Sequence, residues 1–364
     1  MRSLLPTLLF AVVTFIACDL ATALPKFSSR TGWKCQACHV NASGGGMRLV
    51  GGVKYGREEL PVTTWSEEFA LDEFSTTLSN FVSIGADFRT LFFYLEDATE
   101  DKNAFFQMQG DVYMNFRLAK KVNIYLDKGL YSGFEIFGQA NVLPANGFVK
   151  VGKFVPNYGT RIDDHRTYIR EFTGFSLETG SPYYTGAEVA VSPGPATVTG
   201  GIYNSSEGRG TGIDKNKAFL GRAEAIFEVA EETHLGLGAN ILYKDVQGGK
   251  TSFLGGFGAF SYENFTLLGE VDLIKNDISG VRTDGLIMYG EMDYMVFQGF
   301  DLKFIYDFYD LDIDFQTGAF ARYSFGFEFF PISGVEVRPL YRINKEELTE
   351  ITNNELHVLV HFYL

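Results

Sequence analysis

Long stretches of strict period-2 alternation constrain this chain more than any other feature. From about Phe81 onward, Phe106, Met108, Gly110, Val112, Met114, Phe116 and Leu118 alternate with Gln107, Gln109, Asp111, Tyr113, Asn115 and Arg117. Phe300, Leu302, Phe304, Tyr306 and Phe308 alternate with Asp301, Lys303, Ile305, Asp307 and Tyr309. Leu356, Val358, Val360 and Phe362 do so with His357, Leu359, His361 and Tyr363. A period of two puts successive side chains on opposite faces of a strand. Most segments run to about ten residues, the length a tilted strand needs to cross a bilayer. No helix-period segment of useful length follows residue 80.

The breaks between strands carry a second signal. Those at residues 119–120, 143–144, 192–195, 231–232, 263–264, 298–299 and 331–334 are short. Mostly longer polar breaks fall between them, at 96–103, 156–182, 204–216, 276–284 and 344–354. Short turns on one side and long loops on the other describe an all-β, antiparallel outer-membrane barrel, here of roughly 16 strands. A soluble β-sandwich needs neither strands this long nor this rhythm. The 40 Gly, 35 Phe and 19 Tyr suit β-structure with tight turns. Aromatic pairs at strand ends, Phe92 with Phe93, Tyr183 with Tyr184 and Phe329 with Phe330, fit interfacial girdles. Parity puts Glu291, Asp293, Arg322, Glu328, Glu336, Arg338 and Arg342 in the lumen, where charges escape lipid. The net charge of −14 argues against nucleic acid as a partner and leaves cationic partners, metal ions included, open.

The first 23 residues read as a signal peptide. Arg2 supplies the basic start, residues 4–17 are almost wholly apolar, and Ala21, Thr22 and Ala23 form an A-x-A cleavage site. The apolar stretch is short for a membrane-spanning helix. A rival cleavage would leave Cys18 as a lipidated N-terminus.

Behind the signal lies "GWKCQACHVNASGGGMR". Cys35 and Cys38 have the spacing that meets the two vinyl groups of one haem, and His39 follows as the proximal iron ligand. A structural zinc site would need a second ligand pair, which the mature chain lacks. A thioredoxin-like motif would need a βαβ setting, and a plain disulfide gives His39 no reason to follow. One motif means one covalent haem c. Residues 24–78 therefore read as a monohaem cytochrome segment and linker, and residues 79–364 as the barrel. Met47 is the candidate distal ligand, because Gly44, Gly45 and Gly46 let the chain fold back over the haem face. The alternative is that Met47 packs under the loop and water or another residue fills the sixth site.

Other histidines compete for that position. His234, His357 and His361 fall on the inward parity, and His234 and His361 near the periplasmic end. His165 sits in the longest break, in "PNYGTRIDDHRTYIR", which either folds inward as a constriction or forms a solvated tip with Asp164 paired to Arg166. Asp163, Asp164 and His165 together are a candidate transient metal site. Thr64 and Glu67 form a capping-box pattern that predicts a short helix between the two parts.

This architecture resembles the fused monohaem cytochrome–porins of iron-oxidising and other extracellular-electron-transfer bacteria. The residue-specific part is "LPKFSSRTGWKCQACHVN", with its Pro-x-Phe, polar run and haem motif, while the "ASGGGMR" continuation departs from the family. The resemblance implies that Cys35 and Cys38 bind haem covalently and that His39 is the proximal ligand. It also implies electron transfer across the outer membrane, between a periplasmic c-type cytochrome or similar carrier and an extracellular donor or acceptor. Fe(II) is that donor in the best-known members. A solute-conducting porin with a structural or redox-sensing haem segment is the alternative.

Overall fold

A computed structural model describes residues 26–62, 76–129, 133–162, 164–176, 182–205, 216–315, 318–347 and 351–364. The signal peptide, Cys18, Asp163 and the Thr64 to Glu67 pattern lie outside these residues.

Sixteen antiparallel strands close into a barrel. They are β1 (Val82–Leu95), β2 (Lys102–Ala119), β3 (Val122–Gly129), β4 (Phe134–Leu143), β5 (Gly147–Phe154), β6 (Tyr184–Val191), β7 (Ala196–Asn204) and β8 (Lys217–Ala230). The second half comprises β9 (Thr233–Val246), β10 (Gly249–Tyr262), β11 (Phe265–Ile278), β12 (Val281–Phe297), β13 (Phe300–Asp310), β14 (Phe320–Phe329), β15 (Val335–Glu346) and β16 (Glu355–Tyr363). Each strand pairs with its sequence neighbours, and β1 closes on β16 through Phe88 opposite Phe362 and Leu91 opposite Leu359. Closure leaves no unpaired edge for water to satisfy, which is what allows a sheet to sit in hydrocarbon.

The alternation decides the facing. Val112, Val151, Ile241, Leu254 and Leu302 stand exposed on the outer wall, while Glu291, Asp293, Arg322, Glu328, Glu336, Arg338 and Arg342 are buried in the lumen as parity requires. Phe88 with Phe362, Phe300 with Phe327 and Phe304 with Phe325 pair as aromatic rings between neighbouring strands. Two of the expected girdle pairs do otherwise. Tyr183, Tyr184 and Phe330 are buried, and Tyr184 packs on Tyr203 and Phe175 in the interior, because its register puts it on the inner face.

The seven short turns stand where the sequence places them. One expected long break, 276–284, is a tight turn instead. There β11 and β12 stay paired to Ile278 and Val281, and Arg282 meets Asp277 at 3.1 Å in the exposed hairpin. Polar residues signalled a loop, but a two-stranded ribbon standing in water needs no apolar face outward.

Among the described residues, the N-terminal segment carries three short helices, α1 (Lys26–Thr31), α2 (Cys35–Cys38) and α3 (Val50–Glu58). It lies against the inner wall at the short-turn mouth. Lys34 Nζ donates to the carbonyls of Ser192 and Gly194 in one turn, Gln298 Nε2 to Glu58 and Pro61, and Ser333 Oγ to the carbonyl of Arg57. Deeper in, Lys26 meets Asp301 at 2.7 Å and Asp293 at 3.4 Å, with Glu328 also in contact, and Arg30 grips Asp301 through two nitrogens at 3.1 and 3.0 Å.

Residues 155–162 and 164–176 enter from the opposite, long-loop side and carry the short helix α4 (Tyr168–Thr173). Val155, Tyr158, Ile162, Tyr168, Ile169 and Phe175 are all buried, so the segment folds inward. Burying these apolar side chains is why a solvated tip is not formed. The barrel interior thus holds two inserted segments, one from each mouth.

Candidate functional site

Cys35, Cys38 and His39 face a cavity between these two insertions. The cavity's volume is about 260 Å³, and it opens to solvent. The two thiols sit on the single turn of α2 and are free. Burial pushes the Cys35 thiol up to about 12 and raises that of Cys38, so both are held as neutral thiols.

His39 follows in extended backbone and pairs with Arg48 in an isolated antiparallel bridge. The intervening chain reverses through Gly44, Gly45 and Gly46, whose φ values of 88°, 78° and 64° are left-handed. Two of these positions admit nothing larger. A Cβ on Gly44 would come within 2.9 Å of Cys35 Sγ, and one on Gly46 would overlap the Tyr125 hydroxyl. The reversal brings the Gly46 carbonyl to 3.4 Å from His39 Nδ1. Burial, with Arg48 nearby, lowers the imidazole pKa to about 4, which keeps the ring neutral. A neutral ring with Nδ1–H on a carbonyl leaves Nε2 carrying the free lone pair. Two adjacent thiols and a backbone-oriented imidazole beside a cavity are the donor set that covalent haem attachment calls for.

The fold-back therefore occurs as the glycine run suggests, but Met47 does not turn toward the cavity. In an antiparallel bridge, successive residues face opposite sides. His39 and Arg48 line the cavity, so Val40 and Met47 point the other way. Met47 is 1% exposed and sits in the hydrophobic core with Tyr113 and Tyr125, close to Gly85. Its position is the packing one.

The histidines sort as sharply. His361 bridges Glu336 at 2.9 Å and Asp87 at 3.0 Å. His357 meets Glu355 at 2.7 Å and Arg166 at 3.2 Å, with its ring on Phe93. His234 lies by Gly32. None of these three lines the cavity, whereas His165 does. Asp164 is held by Arg342 and by the backbone NH of Arg166 rather than by the Arg166 side chain. Among the described residues no group of three metal-ligating side chains is assembled, and Asp163 of the candidate Asp163, Asp164 and His165 site lies outside them.

Sequence reasoning missed the seating of His165 and of Arg161. Arg161 also lines the cavity, and its side chain passes within 4 Å of where Cβ atoms on Gly44 and Gly45 would lie. The one available signal was the apolar content of the long break.

No protein-family model matches the chain, and no curated protein matches it. Solved structures do. The outer-membrane OmpT of Vibrio cholerae superimposes with a TM-score of 0.58 at 11% identity, covering 80% of this chain and 100% of that one. The fold is that of an outer-membrane porin. An anion-selective porin from Comamonas acidovorans gives 0.54 at 13% identity over 78% of this chain and 99% of its own. The outer-membrane channel DcaP of Acinetobacter baumannii gives 0.54 at 9%, covering 78% and 97%. Such a barrel fits the bacterial outer membrane.

Proposed function

We propose that this protein is an outer-membrane electron-transfer porin, with one covalent haem c at the lumenal cavity. The observation that carries the reading is the convergence of Cys35, Cys38 and a carbonyl-oriented His39 on that cavity. Cys35 and Cys38 would hold the macrocycle by thioether bonds, and His39 Nε2 would bind the iron. When bound, the haem supplies one-electron chemistry at iron.

The chain's own residues supply position and surroundings. The Gly46 carbonyl fixes the His39 ring. The ion pairs of Lys26 and Arg30 hold the segment in the lumen. Val155, Arg161, Ile162, His165 and Arg170 cover the cavity from the far side and limit water. A hydrocarbon layer about 25 Å tall separates the two aqueous phases, farther than one haem reaches. The two mouths therefore matter: a periplasmic c-type cytochrome or similar carrier would approach the short-turn side, and an extracellular donor or acceptor, Fe(II) in the family this chain resembles, the other. The outer wall contacts lipid.

A second reading, a solute-conducting porin whose haem segment is structural or redox-sensing, is favoured by the likeness to porin channels. Liposomes separate the two. Reconstituted protein should reduce an enclosed electron acceptor on addition of an external donor while retaining small solutes. Solute leakage without reduction of the acceptor would sink the electron-transfer reading in favour of the second.

A further inference from the structure

We infer that His165 is the distal axial ligand, so that the haem is bis-histidine ligated through His39 and His165; this rests on the haem reading above. The chain has five histidines. Of these, His39 and His165 line the cavity. The other three are seated elsewhere, two of them on carboxylates. Met47, the other classical type of donor for this position, faces the opposite side of the His39–Arg48 bridge.

The seat of His165 is built. The residue is 4% exposed and lies on the inserted segment rather than on a strand. Ser176 Oγ donates to its carbonyl at 3.0 Å, Arg342 clamps the neighbouring Asp164, and Arg322 donates to the carbonyl of Arg166. The ring nitrogen Nε2 lies 3.4 Å from Arg89 Nη1. A guanidinium can only donate, so Nε2 is the acceptor and carries a lone pair. Arg89 itself lines the cavity, and its Nε is held independently by Asp87 at 3.0 Å. Arg89 can therefore yield Nε2 to iron without losing its own counter-ion. Ligation forms one coordinate bond from that lone pair, releases no proton and changes no oxidation state.

Two imidazoles give low-spin iron with no open position, and a lower potential than a Met/His pair. The full chain, purified from a host that attaches c-type haem, should show a low-spin ferric spectrum by electron paramagnetic resonance. Its reduced form should bind carbon monoxide slowly or not at all. His165→Ala should convert the iron to high spin and open it to carbon monoxide. His165→Met should keep low spin, introduce the charge-transfer band of methionine-ligated ferric haem and raise the potential. His357→Ala should leave the spectrum unaltered. Heat-modifiable migration on gels reports barrel assembly, and where His165→Ala fails to assemble, His165→Met carries the test. A high-spin wild type, or a His165→Met spectrum identical to wild type, overturns the assignment while leaving the haem in place. A wild-type protein with no covalent haem stain after denaturation overturns the haem reading and this inference with it.

Discussion

His39 Nδ1 and the carbonyl oxygen of Gly46 lie 3.4 Å apart, joined by a chain reversal that only left-handed backbone angles permit. The His39 imidazole is thus oriented by the backbone of its own loop, and the loop is specified by glycine. Gly46→Ala should destabilise the segment by about 1–3 kcal/mol, from the left-handed strain of an L residue. The overlap with the Tyr125 hydroxyl adds to that. Differential scanning fluorimetry of the barrel with and without Tyr125→Phe checks this: the second change should recover the steric part of the loss and not the backbone part.

Lys26 sits among Asp293, Asp301 and Glu328 with almost no solvent access. Removing one partner of a buried ion cluster costs about 3–5 kcal/mol. Here the loss should fall at the low end, because Lys303 remains at 2.9 Å from Asp293 and 3.1 Å from Glu328. Lys26→Met should therefore loosen the segment without unfolding the barrel. In planar bilayers the variant should conduct more than wild type, and the segment should become open to protease. Conductance equal to wild type would show that the segment does not limit the lumen.

The barrel was readable from the sequence because its two physical determinants are local. Lipid requires every second residue to be apolar, and a hairpin turn requires residues such as Glu231 with Glu232 or Gln298 with Gly299 at its tip. The Cys35, Cys38 and His39 motif was legible because its spacing is local in the sequence. What faces it across the cavity was not. Whether Met47 or His165 reaches the cavity depends on the parity of a two-residue bridge and on a long loop folding back through the lumen, and neither leaves a periodic trace. Parity alone put His357 and His361 inside correctly, but it could not say that Glu355, Glu336 and Asp87 would engage them.

Lys150 and Glu188 form a fully buried pair at 2.7 Å that ties the two insertions to the wall. Lys150 also donates to Asn41 at 3.3 Å and Ser43 at 2.7 Å, while Glu188 accepts from Tyr203 at 2.6 Å and from the backbone NH of Asn157 at 2.8 Å. Lys150→Met strands the carboxylate and should cost about 3–5 kcal/mol, whereas replacing both partners with apolar residues costs much less. A double-mutant cycle with Glu188→Leu, read by chemical unfolding, should give a coupling energy of about 3 kcal/mol or more. Additive losses would mean that the two side chains act independently.

Met47 offers the cleanest separation of packing from ligation. Its side chain fills a space against Gly85, Tyr113 and Tyr125 on the side of the segment away from the thiols. Met47→Leu conserves volume and should change stability by less than about 1.5 kcal/mol. Met47→Ala leaves a cavity and should cost about 2–5 kcal/mol. If packing is its whole role, the visible and near-infrared spectra of both variants should match wild type even as their melting temperatures diverge. A spectral change in Met47→Leu, where packing is preserved, would return Met47 to the iron.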